Sequence, residues 1–78
     1  MSVKIYTTYS CVWCGRAKEF FKQNNIDFQE VNVEYDVEAL NEMIEKSGQL
    51  GVPVIDVNGT IIIGYDKVAL EAALGLKK

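Results

Sequence analysis

Hydrophobic positions along this chain change period several times, and each change marks an element. Val3-Lys4-Ile5-Tyr6-Thr7 is a short β-rich run, and Thr8-Tyr9-Ser10 turns out of it. From Val12 to about Asn24 the spacing becomes helical. Trp13, Ala17, Phe20 and Phe21 fall on one side, Arg16, Lys18, Glu19 and Lys22 largely on the other, and Asn24-Asn25 supplies a stop. Phe28 to Val33 reads as a second strand. Asp36 then predicts an N-cap for a helix that carries Val37, Leu40, Met43 and Ile44 inward, and Ser47-Gly48 closes it.

The last third of the chain is punctuated more sharply. Val54-Ile55-Asp56-Val57 and Thr60-Ile61-Ile62-Ile63 flank Asn58-Gly59. That dipeptide predicts a hairpin, because a type I′ turn needs positive φ at both central positions. Gly64-Tyr65 breaks the strand, Asp66 caps a last helix from Lys67 to about Leu74, and Gly75 ends it. The order is βαβαββα, without repeat, linker or low-complexity segment. The first two strands need a crossover helix and are predicted to be parallel, and the last two form an antiparallel pair.

Composition narrows the class. With 49% hydrophobic and 24% charged residues over 78 positions, the expectation is one α/β domain spanning 1–78, near the lower size limit for a self-sufficient core. The net charge is −3 and basic residues are scattered, apart from a Lys77-Lys78 tail read as solvated. That argues against nucleic acid as a partner. Met1-Ser2-Val3-Lys4-Ile5-Tyr6 has no long apolar stretch, so neither a signal peptide nor a membrane span is expected, and a reducing cytoplasm is the default. The absence of histidine excludes imidazole general-base chemistry and His-containing zinc sites within the chain.

Candidate chemistry lies in Cys11-Val12-Trp13-Cys14, which holds the only two cysteines. They are too few for a disulfide scaffold. If Cys11 sits at the mouth of the first helix and Cys14 in its first turn, a disulfide can open and close between them without refolding. Attack on a disulfide requires a thiolate, and an unperturbed thiol is only roughly 3% ionised at neutral pH. Raising that to about half needs about 2 kcal/mol of thiolate stabilisation. A helix N-terminus supplies about 0.3–1 and at most about 2 kcal/mol, so first-turn amides near Trp13 and Cys14 are expected to contribute. Arg16 could add charge, in a direction the sequence does not give. Cys11, ahead of the turn, is assigned as the attacking nucleophile and Cys14 as the resolving thiol. Two rival readings stand beside this one. The pair could be buried structural cysteines, or two ligands of a metal or iron–sulfur cluster completed by a second subunit or exogenous thiols, since a structural zinc site usually takes four ligands.

The chain resembles the glutaredoxin and thioredoxin-like small redoxins over nearly its whole length, and is most similar to small bacterial and archaeal glutaredoxin-like proteins. The matching residues are Cys11-Val12-Trp13-Cys14 after the first strand, Val52-Pro53 before the third, the Asn58-Gly59 hairpin, and Gly64-Tyr65-Asp66 before the last helix. The resemblance implies a thioredoxin-like fold, with a four-stranded mixed sheet and three helices packed on both faces. It implies a cis Val52–Pro53 peptide beside the cysteines, whose flanking backbone pairs with an incoming peptide or glutathione. It further implies that Gly64 lets a ligand approach closely and that Asp66 receives its amino group, a role compatible with capping. Trp13 either presents an aromatic face to partners or packs beside the disulfide. Tyr9 and Tyr65 either flank a substrate groove or are ordinary surface tyrosines.

Departures from the family pattern bear on the reductant. Thr8 and Gln49 stand where glutaredoxins usually carry basic residues that bind glutathione, Ile63-Gly64 stands for the usual Gly-Gly, and Val12 for the common proline. Each missing charge-assisted contact costs about 1.5–3 kcal/mol. Val12 is similar instead to the redoxins that serve ribonucleotide reductase and take electrons from thioredoxin reductase, although their Trp-Ser-Gly-Phe-Arg-Pro stretch is absent here. The expected function is a monomeric thiol–disulfide oxidoreductase acting on protein disulfides through a redox-active Cys11–Cys14 bridge. It binds no cofactor or metal and is reduced by a thioredoxin-reductase-like flavoprotein, with glutathione as the alternative reductant.

Overall fold

Seven elements form in the predicted order. The structure, a computed structural model, describes residues 2–76, so the Lys77-Lys78 tail lies outside the described residues. The elements are β1 (Val3–Thr7), α1 (Val12–Gln23), β2 (Gln29–Asn32), α2 (Val37–Ser47), β3 (Val54–Val57), β4 (Thr60–Ile63) and α3 (Lys67–Leu74). The second strand is one residue shorter at each end than the run 28–33. Phe28 turns into the core, and Val33 is buried beyond the strand with its amide donating to the Thr7 carbonyl at 2.9 Å.

The sheet order is β2-β1-β3-β4, with β1 parallel to β2, antiparallel to β3, and β3 antiparallel to β4. Asn58 and Gly59 have φ of 51° and 94°, the positive pair that the tight turn requires. Strand alternation splits the core into two layers. Val3, Ile5, Ile55 and Val57 face Ala17, Phe20 and Phe21 of α1 and Leu70 and Leu74 of α3. Tyr6 and Val54 point to the opposite face and meet Met43 of α2. Asp36 and Asp66 cap α2 and α3, their Oδ1 atoms accepting from Ala39 N–H at 3.0 Å and Ala69 N–H at 3.1 Å.

Val37, expected to point inward, is instead 71% exposed; Trp13, whose two alternatives are a presented aromatic face and packing beside the disulfide, is 56% exposed. Both lie in the first turn of a helix that follows a parallel strand, so both overhang the same end of the sheet and find no strand beneath them. Leu40 and Ile44 are half-buried, and Met43 alone on α2 is fully buried.

A polar network ties α2 to the sheet. The buried Tyr6 hydroxyl donates to Glu42 and accepts from Lys46 at 2.8 Å, while Lys4 pairs with Glu42 at 2.7 Å and Lys46 with Asp56 at 2.8 Å. Hydrogen bonds from Lys4 and then Tyr6 hold the Glu42 carboxyl down at about 2, below the 4.5 of a free glutamate. Because the folded value is depressed, the stabilisation from Glu42 is complete above the ordinary carboxylate range and is lost as pH falls through about 2. With 43% of the side chain exposed, solvent screening keeps its share modest. Urea midpoints measured from about pH 6 to about pH 2 should therefore show Glu42→Gln less stable than the parent near neutrality and converging with it in acid. A gap that stays constant with pH would remove the carboxylate's charge from this account.

Candidate active site

Four chain segments meet at one end of the sheet. Thr7 pairs with Asn32, Tyr6 with Val54, and Val54 with Ile63. The segments after β1, after β2, before β3 and after β4 therefore leave the same edge. Every candidate residue from the sequence lies on one of these segments or on the first turn of α1.

Cys11 is the N-cap of α1, with extended φ −98° and ψ 107°. Its Sγ accepts the Cys14 N–H at 3.0 Å, and its carbonyl accepts the Gly15 N–H at 3.3 Å. The two cysteines are joined as a disulfide with Cα atoms 5.2 Å apart, in the range that bridging needs. Cys14 is 1% exposed and Cys11 is partly exposed, so an incoming sulfur reaches Cys11 first. In this oxidised state Cys11 Sγ is a neutral acceptor; on reduction the same amide faces a thiolate. A hydrogen bond to a charged group contributes about 1.5–3 kcal/mol, and the helix end adds about 0.3–1. Together they cover the roughly 2 kcal/mol that ionising half the thiol requires. No acidic residue in the first turn of α1 opposes that charge.

The expected donors are narrowed: among the described residues the Cys14 amide bonds the sulfur and the Trp13 amide does not. Arg16 turns to Trp13, its guanidinium 5.2 Å from the ring centroid. Trp13 also stacks on Tyr65, with centroids 6.3 Å apart and planes at 21°. Tyr65 also meets Phe20 edge-on at 6.2 Å and is half-buried, so it couples the surface of the site to the core.

Val12 is exposed beside Cys11. The Val52–Pro53 peptide is cis, Pro53 is buried, and the Gly64 N–H donates to the Pro53 carbonyl at 2.8 Å. That bond joins the segment before β3 to the segment after β4, and Gly64 makes it at φ 79°. The Val52 N–H and C=O take no hydrogen-bond partner among the described residues. Asp66 spends one oxygen on its cap and stays exposed. Gln49 closes on its own loop, Nε2 donating to the Gly51 carbonyl at 3.0 Å and Oε1 accepting from the Gly51 N–H at 2.6 Å.

Tyr9 stands on the other flank, paired with Tyr35 at 5.9 Å. Its amide donates to Glu34 Oε1 at 3.0 Å. Tyr35 and Glu34 did not emerge from the sequence. The signal was an aromatic residue inside the polar stretch Val33-Glu34-Tyr35-Asp36-Val37, between a strand and a helix cap. A parallel β1/β2 pair forces that stretch beside the segment leading to Cys11.

Comparison with known proteins converges on this arrangement. The glutaredoxin family model matches residues 3–62. A glutaredoxin-like 8.6 kDa protein in the rubredoxin operon of Clostridium pasteurianum is 46% identical over 69 residues, covering 88% of this chain and 92% of that protein. Glutaredoxin 3 of Escherichia coli K12 is 37% identical over 76 residues, covering 96% and 92% of the respective chains. Among solved structures, the glutaredoxin-like NrdH-redoxin of Escherichia coli, described as having a thioredoxin-like activity profile, superposes with a TM-score of 0.78 at 26% identity, over 100% of this chain and 97% of that one.

Proposed function

The chain belongs to the glutaredoxin family, and from that premise we propose a dithiol carrier that reduces protein disulfides and is itself recharged by a thioredoxin-reductase-type flavoprotein. The observation that carries the chemistry is Cys11 at the cap of α1, its sulfur on the Cys14 amide at 3.0 Å and bonded to a buried Cys14.

Cys11 thiolate attacks one sulfur of the substrate disulfide; the S–S bond breaks, and the other sulfur leaves as a thiolate that takes a proton. Cys14 then loses its proton and attacks Cys11 Sγ in the mixed disulfide. The second substrate sulfur leaves as a thiol, and the Cys11–Cys14 bond forms. The substrate gains two electrons and two protons, and the carrier loses them. The reductant returns both.

Val12 and Trp13 offer the substrate an apolar margin, Val52 offers its free N–H and C=O to a substrate backbone, and Gly64, Tyr65 and Asp66 border the other side. Three features support a flavoprotein as the donor rather than glutathione. Thr8 carries no charge, Gln49 is folded onto Gly51, and Ile63 stands beside Gly64 where the family usually has a second glycine. The thioredoxin-like profile of the Escherichia coli redoxin points the same way. In this reading the protein is a monomer, one domain over residues 1–78, working in a reducing cytoplasm with no bound cofactor. No helix of the described residues is long and apolar enough to cross a membrane.

Reduction of the oxidised protein, followed by Trp13 fluorescence, tests the donor. NADPH with a thioredoxin reductase should reduce it rapidly, while glutathione should be slower by a factor of about ten or more, the cost of one lost charge-assisted contact. Equal or faster reduction by glutathione would make it a glutathione-dependent glutaredoxin.

A further inference from the structure

The Tyr9–Tyr35 pair is the most exposed aromatic surface near the disulfide and has no part in the steps above. Tyr9 is 74% exposed and Tyr35 83%, with centroids 5.9 Å apart. The pair is held in place rather than dangling. Glu34 Oε1 accepts the Tyr9 N–H at 3.0 Å, the Glu34 N–H is held by Asn32 Oδ1 at 2.9 Å, and Asp36 fixes the start of α2.

Its position says what covers it. Tyr9 precedes Cys11 by two residues, so their Cα atoms are within about 7 Å. A polypeptide joined to Cys11 as a mixed disulfide therefore has residues on one side of its cysteine within reach of this neighbourhood.

Its charge says what that polypeptide carries. Between Lys22 and Lys46 the chain has Asp27, Glu30, Glu34, Asp36, Glu38, Glu42 and Glu45 and no Lys, Arg or His. Glu30 and Glu42 are neutralised by Lys18, Lys4 and Lys46. Glu34, Asp36 and Glu38, which bracket Tyr35, form no ion pair among the described residues. Open tyrosine faces beside unpaired carboxylates suit a cationic side chain, which gains from both the ring quadrupole and the charge. An acidic segment meets repulsion on the same ground.

We infer that the Tyr9–Tyr35 pair, with Glu34, Asp36 and Glu38 flanking Tyr35 along the chain, is a docking platform that selects protein disulfides flanked by lysine or arginine. The inference rests on Cys11 as the attacking sulfur. It deepens the proposed function by naming the substrate class.

The test uses the full chain and three disulfide probes. Two are synthetic peptides identical except that lysine and arginine flank the disulfide in one and glutamate and aspartate in the other; the third is the small uncharged hydroxyethyl disulfide. The expected kcat/KM ratio of basic to acidic peptide is about fivefold to tenfold at low salt, shrinking toward unity in high salt. In Tyr35→Ala the ratio should drop by about half or more, and in Glu38→Lys it should fall further. Tyr35→Phe, which keeps the ring face, should retain it. Equal rates for both peptides, with hydroxyethyl disulfide still reduced, would overturn the platform and leave the proposed function standing. Failure to reduce any of the three would overturn the function, and the platform with it. A charge preference that survives both Tyr35→Ala and Glu38→Lys would place the selectivity elsewhere and also overturn the inference.

Discussion

Cys11→Ser should lower disulfide reduction by a factor on the order of 10⁴ or more while leaving the fold standing. A serine hydroxyl at neutral pH is a far weaker nucleophile than a thiolate and has no adjacent base here to activate it. Serine is nevertheless a good N-cap, and its Oγ can accept the Cys14 N–H that Cys11 Sγ accepts at 3.0 Å. The start of α1 should therefore survive, and circular dichroism together with the urea midpoint of the reduced parent gives the control. Full activity in a folded Cys11→Ser protein would sink both the role assignment and the proposed function.

Cys14→Ser separates the two sulfurs. Cys14 is only 1% exposed, and in the proposed steps it attacks from inside once Cys11 is committed. Without it the first step still runs and the second stops. The variant should accumulate mixed disulfides with protein substrates, visible as adducts that a reducing agent releases, and should keep exchange with small disulfides that a second external thiol can resolve. If Cys14→Ser lost the first step and Cys11→Ser kept it, the roles would be reversed.

The features that were legible in the sequence are those decided within a few residues. Asn58-Gly59 sets its turn through its own backbone, and Asp36 and Asp66 cap through bonds to residues three positions on. Cys11 and Cys14 lie one helical turn apart whatever surrounds them. Val37 lies outside rather than inward because periodicity reports which face of a helix a residue occupies and not where the sheet beneath it ends. Tyr35 needs a fact that no local window holds, the parallel alignment of β1 and β2 that brings its loop beside Tyr9. The same is true of the Tyr6–Glu42–Lys46 network, whose members are separated by 36 and 40 positions from Tyr6. Gln49 was read as a missing charge, whereas the structure adds that its amide is engaged with Gly51.

Phe21→Ala should cost about 3–5 kcal/mol, the usual range for truncating a fully buried aromatic. Phe21 has no exposure and packs against Phe20 at 6.0 Å and Phe28 at 5.2 Å, between α1 and the strand that follows it. A chain of this size holds roughly 4–12 kcal/mol in total, so the loss is about a quarter of its stability or more. The melting temperature should fall by at least about 12 °C. The redox chemistry should respond differently. Phe21 lies two helical turns beyond Cys14, while the Cys11 thiolate depends on the first-turn amide, which stays in place as long as α1 is formed. Below the new midpoint, the rate per folded molecule should thus remain within about twofold of the parent, a difference under about 0.5 kcal/mol. A rate that dropped with stability, with circular dichroism still showing a folded protein, would mean that the seating of α1 on the sheet sets the geometry of the cysteines. The local cap would then be an insufficient account of their reactivity.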